Sequence, residues 1–141
     1  MQTIIGKEYP VVAIEEIKNA KKSIDILVYE WRWYEDQIGS NIQKFNSQII
    51  YAARRGVTIR AITRTRDTVA KLVQNGAHAK MWTGGNTMHT KMMLIDNKVL
   101  FIGSHNFTMN GFNLNLEVST MQKDEAGFAD ILNHFNSLWS L

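Results

Sequence analysis

Apolar residues recur along this chain in two periods, and the changes of period mark out its elements. Met1–Ile5 has the length of an edge strand, and Gly6-Lys7-Glu8 reads as a turn. Pro10 suits a first helical turn, and Val11, Ile14, Ile17 and Ala20 follow at helical spacing, predicting a helix over 10–22 with one buried face. In Ser23–Trp31 the period drops to two, with Ile24, Ile26 and Val28 alternating with Asp25, Leu27 and Tyr29, which predicts a strand. Residues 32–39 read as a loop. Ser40 is placed to cap a helix that runs to Arg55 and stops at Gly56. Val57–Thr63 is a second predicted strand, Thr65–Asn75 a short helix closed by Gly76, and Ala77–Thr83 a third strand. Gly84-Gly85-Asn86 links it to two apolar runs, Met88–Ile95 and Val99–Ser104, joined by a turn at Asp96-Asn97. Phe107–Leu114 is polar and rich in Gly and Asn, so it reads as a loop bordering the hairpin. Asn115–Gln122 is a further strand. Asp124–Leu141 is a closing helix with Phe128, Ile131, Leu132, Phe135 and Leu138 on its apolar side. This order predicts an α/β fold, a mixed β-sheet flanked by helices on both faces. No repeat, low-complexity tract or linker interrupts it, so 1–141 reads as a single domain.

Composition narrows the picture only slightly. With 141 residues, 45% hydrophobic and 21% charged, the chain is ordinary for a globular domain with a real core. A net charge of +3 weakly favours phosphate-bearing partners. No apolar run approaches the length that spans a bilayer, and the N-terminus shows no signal-peptide pattern. The absence of cysteine excludes disulfides and thiolate metal sites. A cytoplasmic location is therefore the expectation, with a removed leader left open.

The chemistry is concentrated in the hairpin. Strand side chains alternate between faces, so His89 and Lys91 project together, as do Ser104 and Asn106 on the second arm. The neighbours Met92, Met93, Leu94, Ile95, Leu100, Phe101 and Ile102 are apolar. An imidazole and an ammonium at the end of a buried hairpin are costly without partners or a task. The spacing is specific: His-x-Lys, four residues, Asp, six residues, Gly-Ser-x-Asn, that is His89, Lys91, Asp96, Gly103, Ser104 and Asn106. Six specified residues match by chance in roughly one such chain in a million, from average residue usage.

This pattern resembles the HKD signature of the phospholipase D superfamily, and Asn115-Leu116-Glu117 matches the acidic residue of the following strand. Only one copy is present, as in the small bacterial endonucleases of that superfamily, which pair two chains to complete one active site. The resemblance implies the phospholipase D/nuclease-like fold and a metal-independent phosphodiesterase, a nuclease of low sequence specificity. It implies a homodimer with DNA or RNA as substrate, and neither a cofactor nor a stable membrane association. His89 would attack phosphorus to give a phosphohistidine, and His89 of a second subunit would protonate the leaving oxygen. Lys91, Ser104 and Asn106 would hold the non-bridging oxygens, and Glu117 would fix the tautomer of His89. Asp96 and Gly103 read as structural members of the motif, Asp96 because a turn favours it.

Other residues carry weaker readings. Arg64 and Arg66 follow a predicted strand end, where α/β sheets bind ligands, and are candidate phosphate contacts within the basic run that includes Arg54, Arg55 and Arg60. Trp31, Trp33 and Tyr34 are either base-stacking platforms or core and dimer contacts. His105 points opposite to its neighbours and reads as structural, and His78 and His134 have no constellation. Two other enzymatic readings stay open: a phospholipid phosphodiesterase using the same histidine chemistry, and the catalytic domain of a larger DNA-processing enzyme. A nucleic-acid-binding domain without turnover is the non-enzymatic alternative, against which the intact motif counts.

Overall fold

The computed structural model describes residues 1–141. In chain order the elements are β1 (Gln2–Ile5), α1 (Glu8–Lys18), β2 (Ser23–Val28), α2 (Asn41–Arg54), β3 (Thr58–Thr63), α3 (Arg66–Gln74), β4 (His78–Met81), β5 (Lys91–Ile95), β6 (Val99–Gly103), α4 (Met109–Asn113), β7 (Val118–Lys123) and α5 (Ala129–Trp139). One seven-stranded sheet runs in the order β1-β7-β6-β5-β2-β3-β4. Strands β2, β3 and β4 are parallel, joined by α2 and α3, as crossover geometry requires. The other half, β5, β6, β7 and β1, is antiparallel. β2 is the seam between the halves, pairing with β3 on one side and β5 on the other.

The alternation read in β2 sorts residues onto two cores. Ile24, Ile26 and Val28 join a large cluster with Ile17, Phe45, Ile49 and Phe101, on the face that α1, α2 and α4 cover. Leu27, Met92, Leu94 and Leu100 face the other way, into a smaller cluster closed by Phe135 of α5. Each fully buried large apolar side chain stabilises the fold by on the order of 2 kcal/mol relative to exposure. Helices thus flank both faces, as expected, with most of the burial on one.

Local signals held where backbone geometry is demanding. Ser40 Oγ accepts from Gln43 N at 3.3 Å to start α2, and Gly56 ends its C-terminal turn at φ 99°. The hairpin turn puts Asp96 at φ 54° and Asn97 at φ 51°, the paired positive values of a primed turn. Boundaries moved elsewhere. The predicted loop 107–114 contains α4, capped by Thr108 Oγ1 accepting from Gly111 N at 2.9 Å. The closing helix starts at Ala129 rather than Asp124, after Gly127 at φ 89°. The strand expected from Met88 begins only at Lys91, and that expected from Asn115 only at Val118.

Most of the basic run is structural. Arg55 Nη2 donates to the carbonyls of Ile17, Lys18 and Ala20 at 2.6, 3.1 and 3.1 Å, closing the C-terminus of α1. Arg60 pairs with buried Asp25 at 2.7 Å and lies over the rings of Phe135 and Trp139. Arg54 donates to Asn75. Trp31 is fully buried, with Nε1 donating to Asn46 Oδ1 at 2.7 Å, so it is a core residue and not a platform for bases. Trp33 and Tyr34 pack against the same cluster.

Candidate active site

The polar motif side chains other than Asp96 lie at one end of the sheet. β2, β3 and β6 run toward that end, and β5 and β7 start from it. In open α/β sheets this carboxyl end of the parallel strands is where ligands bind. His89 and Lys91 sit at the start of β5, Ser104 and Asn106 just after β6, Glu117 just before β7, and Arg64 just after β3.

His89 and Lys91 form a contact pair, as their shared parity predicts. Lys91 Nζ lies 3.2 Å from His89 Nδ1 and 3.3 Å from Nε2, and it donates to the His89 carbonyl at 2.8 Å. His89 is exposed, whereas Lys91 is only 9% exposed. Burial pushes the Lys91 ammonium below the usual lysine range, and the charge of Glu117 pulls it partly back. A desolvated cation beside an accessible imidazole can stabilise an anion that docks against both.

Ser104 and Glu117 are coupled. Ser104 Oγ donates to Glu117 Oε1 at 2.7 Å and accepts from Val118 N at 3.0 Å, while Asn115 Nδ2 donates to Glu117 Oε2 at 3.3 Å. The expected bond between Glu117 and His89 is not formed within the chain. Glu117 instead acts on Lys91 through its charge. Asn106 Oδ1 accepts from Glu30 N at 3.0 Å, which fixes the amide plane and leaves its N–H donors on the other side of the group.

Asp96 lies at the opposite end of β5 and takes no part in this cluster. Its carboxylate accepts backbone N–H bonds from Lys21, Lys22 and Ser23 at 2.7–3.2 Å, tying the hairpin turn to the start of β2. Burial would raise its pKa, but these three donors and the Lys22 charge outweigh it and hold the carboxyl below the usual range. Gly103 is required by close approach: a Cβ there would lie 2.4 Å from Ser119 Cα. Ser119 in turn bonds buried His105, whose Nδ1 is 2.7 Å from Ser119 Oγ and whose Nε2 is 2.9 Å from the Gly6 carbonyl. A carbonyl can only accept, so Nε2 carries the proton. His105 is structural, as its position in the motif predicted.

Of the two candidate arginines, Arg64 reaches the cluster and Arg66 does not. Arg64 Nη1 donates to the Tyr29 hydroxyl at 2.7 Å, and the Tyr29 ring lies 5.1 Å from that of His89. Arg66 is an exposed residue in the first turn of α3. Tyr29 is the residue that sequence reasoning missed. Nothing in its local pattern marks it. Only the register of β2 between β3 and β5 brings it to the site. An apolar groove of 270 Å³ lined by Ile62, Met81, Trp82, Leu138 and Leu141 lies by the C-terminus of α5 and contains none of these residues. No cluster of three or more His, Asp or Glu side chains is placed to hold a metal ion. No helix is long and apolar enough to cross a membrane.

The fold and the family match together make this a phospholipase D-like domain. Residues 13–139 match the family described as cardiolipin synthase, PLD-like domain, and the chain belongs to that family. Among solved structures it is similar to NucT from Helicobacter pylori, at 18% identity and a TM-score of 0.78, covering 99% of this chain and 94% of that one. It is similar to the phospholipase D family member Nuc from Salmonella typhimurium, at 19% identity and a TM-score of 0.79 with the same coverage. The phosphatidylserine synthase of Haemophilus influenzae matches at 11% identity and a TM-score of 0.73, over 97% of this chain but 37% of that one. No curated protein sequence matches the chain.

Proposed function

We propose that the protein is a phosphodiesterase acting on nucleic acid, with His89 as nucleophile in a site completed by a second copy of the chain. The observation that carries this reading is the His89–Lys91 pair, an accessible imidazole within 3.2 Å of a desolvated ammonium. An imidazole nitrogen attacks phosphorus, the bond to the leaving oxygen breaks, and a phosphohistidine forms. Lys91 and the Asn106 amide neutralise charge on the non-bridging oxygens as the transition state develops. The leaving oxygen takes a proton from the second copy's histidine. That histidine then removes a proton from water, which attacks phosphorus and releases His89.

One chain offers one such histidine, so a two-fold pair of chains is the natural arrangement. The rim supports it: Leu114, Leu116 and Val118 are 73%, 101% and 53% exposed on either side of Glu117. Exposed apolar residues gathered beside a polar site favour an interaction surface. The basic balance and the near full-length similarity to NucT and Nuc support nucleic acid as the substrate class. Arg64 is assigned to a neighbouring phosphate. Arg66 is a peripheral contact at most.

A second reading is a phospholipid diester, favoured by the family's description and by the similarity to phosphatidylserine synthase. The deciding experiment incubates the protein with single-stranded DNA, duplex DNA, RNA and phospholipid vesicles in EDTA, beside His89→Ala. Nucleic-acid cleavage that survives chelation and is lost in the variant is the expected result. Headgroup release alone transfers the assignment to lipid, and binding without turnover leaves a nucleic-acid-binding domain.

A further inference from the structure

The centre of the sheet determines what stands beside the catalytic pair. In β2, Val28 pairs with Lys91 of β5 on one side and Thr63 of β3 on the other. The next residue, Tyr29, therefore emerges between the start of β5 and the end of β3. Its backbone is tied to the β3 end, accepting from Arg64 N at 3.3 Å and Thr63 Oγ1 at 3.4 Å. Its ring meets three polar groups. The His89 imidazole lies 5.1 Å away at 60°, Lys91 Nζ is 5.6 Å from the ring centroid, and the Arg64 guanidinium is 4.9 Å from it. Its hydroxyl accepts from Arg64 Nη1 at 2.7 Å.

Two cations of unequal exposure thus share one aromatic ring. Lys91 is buried and faces His89, whereas Arg64 is exposed. Arg64 also borders a shallow polar hollow of 220 Å³ with Trp82, Gly84, Asn86 and Thr87. The loop around that hollow is folded on itself, with Trp82 Nε1 donating to the Asn86 carbonyl at 2.6 Å. An aromatic face attracts both cations while keeping them apart, and its rigid ring gives the imidazole a wall.

We propose that Tyr29 is the positioning residue of this site: its ring sets the His89–Lys91 pair for the scissile phosphate, and its hydroxyl aims Arg64 at the next phosphate of a polymeric diester. The proposal rests on the phosphodiesterase reading above and deepens it by naming a second phosphate subsite. A diester with one phosphate uses the ring alone. A strand with several uses ring and hydroxyl, so the subsite favours a polyanionic strand over a single lipid headgroup.

The test compares the full chain with Tyr29→Leu, Tyr29→Phe and Arg64→Gln on bis(p-nitrophenyl) phosphate and on a thymidylate decamer. Loss of orientation in Tyr29→Leu lowers kcat on both substrates by roughly 10-fold or more. Tyr29→Phe recovers most of that loss, yet leaves KM for the decamer raised several-fold, as Arg64→Gln does. Proton NMR gives a readout independent of turnover. The His89 ring signals, assigned with His89→Gln, carry a ring-current shift that persists in Tyr29→Phe and collapses in Tyr29→Leu, while the His105 signals stay put and report an intact fold. Unmoved His89 signals in Tyr29→Leu, or equal KM effects on both substrates in Tyr29→Phe, overturn the proposal. A wild-type protein inactive on both diesters overturns the nucleic-acid phosphodiesterase reading and the second-phosphate subsite with it, and the NMR arm still decides the positioning of His89.

Discussion

Ser104 donates its hydroxyl proton to Glu117 across 2.7 Å, so this hydroxyl is already engaged by a carboxylate in the free chain. A phosphate can use it only by displacing that carboxylate. Glu117 meanwhile raises the pKa of Lys91 against the effect of burial. Glu117→Gln keeps an acceptor for Ser104 and removes the charge. The Lys91 ammonium then loses its proton at lower pH. The alkaline limb of the kcat/KM profile on bis(p-nitrophenyl) phosphate is expected to move to lower pH in this variant. A limb that stays in place would show that the charge does not reach Lys91.

Lys91→Met separates catalysis from folding. Removing one donor from a preorganised anion site costs roughly 100-fold or more in rate. The same change removes a cation that is disfavoured by burial, which offsets the loss of its hydrogen bond to the His89 carbonyl. Near-complete loss of activity with a Tm at neutral pH equal to or above the parent's is expected, from steady-state rates and thermal denaturation on the same samples.

Asp96 carries the opposite signature. Asp96→Ala leaves three backbone N–H groups without their carboxylate and is expected to lower stability by roughly 2–3 kcal/mol, from the strength of charge-assisted hydrogen bonds. Its carboxyl titrates below the ordinary value of 3.8, so its contribution is full above that value and is lost as pH falls through the lower native one. Urea denaturation across acid pH should therefore show the gap between parent and variant closing only at strongly acid pH. Activity per folded molecule should match the parent's.

His105 gives a second pH window. Burial lowers its pKa, outweighing the Gly6 carbonyl and the Glu117 charge, which pull it up. The unfolded chain binds that proton first, so stability falls as pH drops below the ordinary 6.5 and the loss is complete below the native value. His105→Gln keeps polar groups for Ser119 and Gly6 but cannot titrate. The variant is expected to be less stable at pH 7 and to lack this slope in chemical denaturation between neutral and mildly acid pH.

The pairing at the hairpin was legible because its parity is simple: two residues apart on a strand means one face, and His89 and Lys91 do meet. The two-core sheet was legible in β2, where Leu27 parts from Ile26 and Val28. α4 was hidden because one turn of Asn and Gly residues reads as loop, and only the Thr108 cap betrays it. The intrachain partner of Glu117 was not legible: the resemblance implied His89, whereas the ladder sets Gly103 opposite Ser119 and so brings Glu117 to Ser104 within one chain. Trp31 illustrates the same limit. An aromatic at a strand end can face solvent or core, and its bond to Asn46 on a distant helix decides it. Tyr29 depends on three strands whose pairing is invisible in one segment.

In the proposed mechanism phosphorus passes through His89. The most direct measurement is the stereochemical course of hydrolysis of a single diastereomer of a phosphorothioate dinucleotide in oxygen-18 water. Two successive in-line displacements, first by the imidazole and then by water, predict retention of configuration at phosphorus. Inversion would mean that water attacks the diester directly, and His89 would then not be the nucleophile.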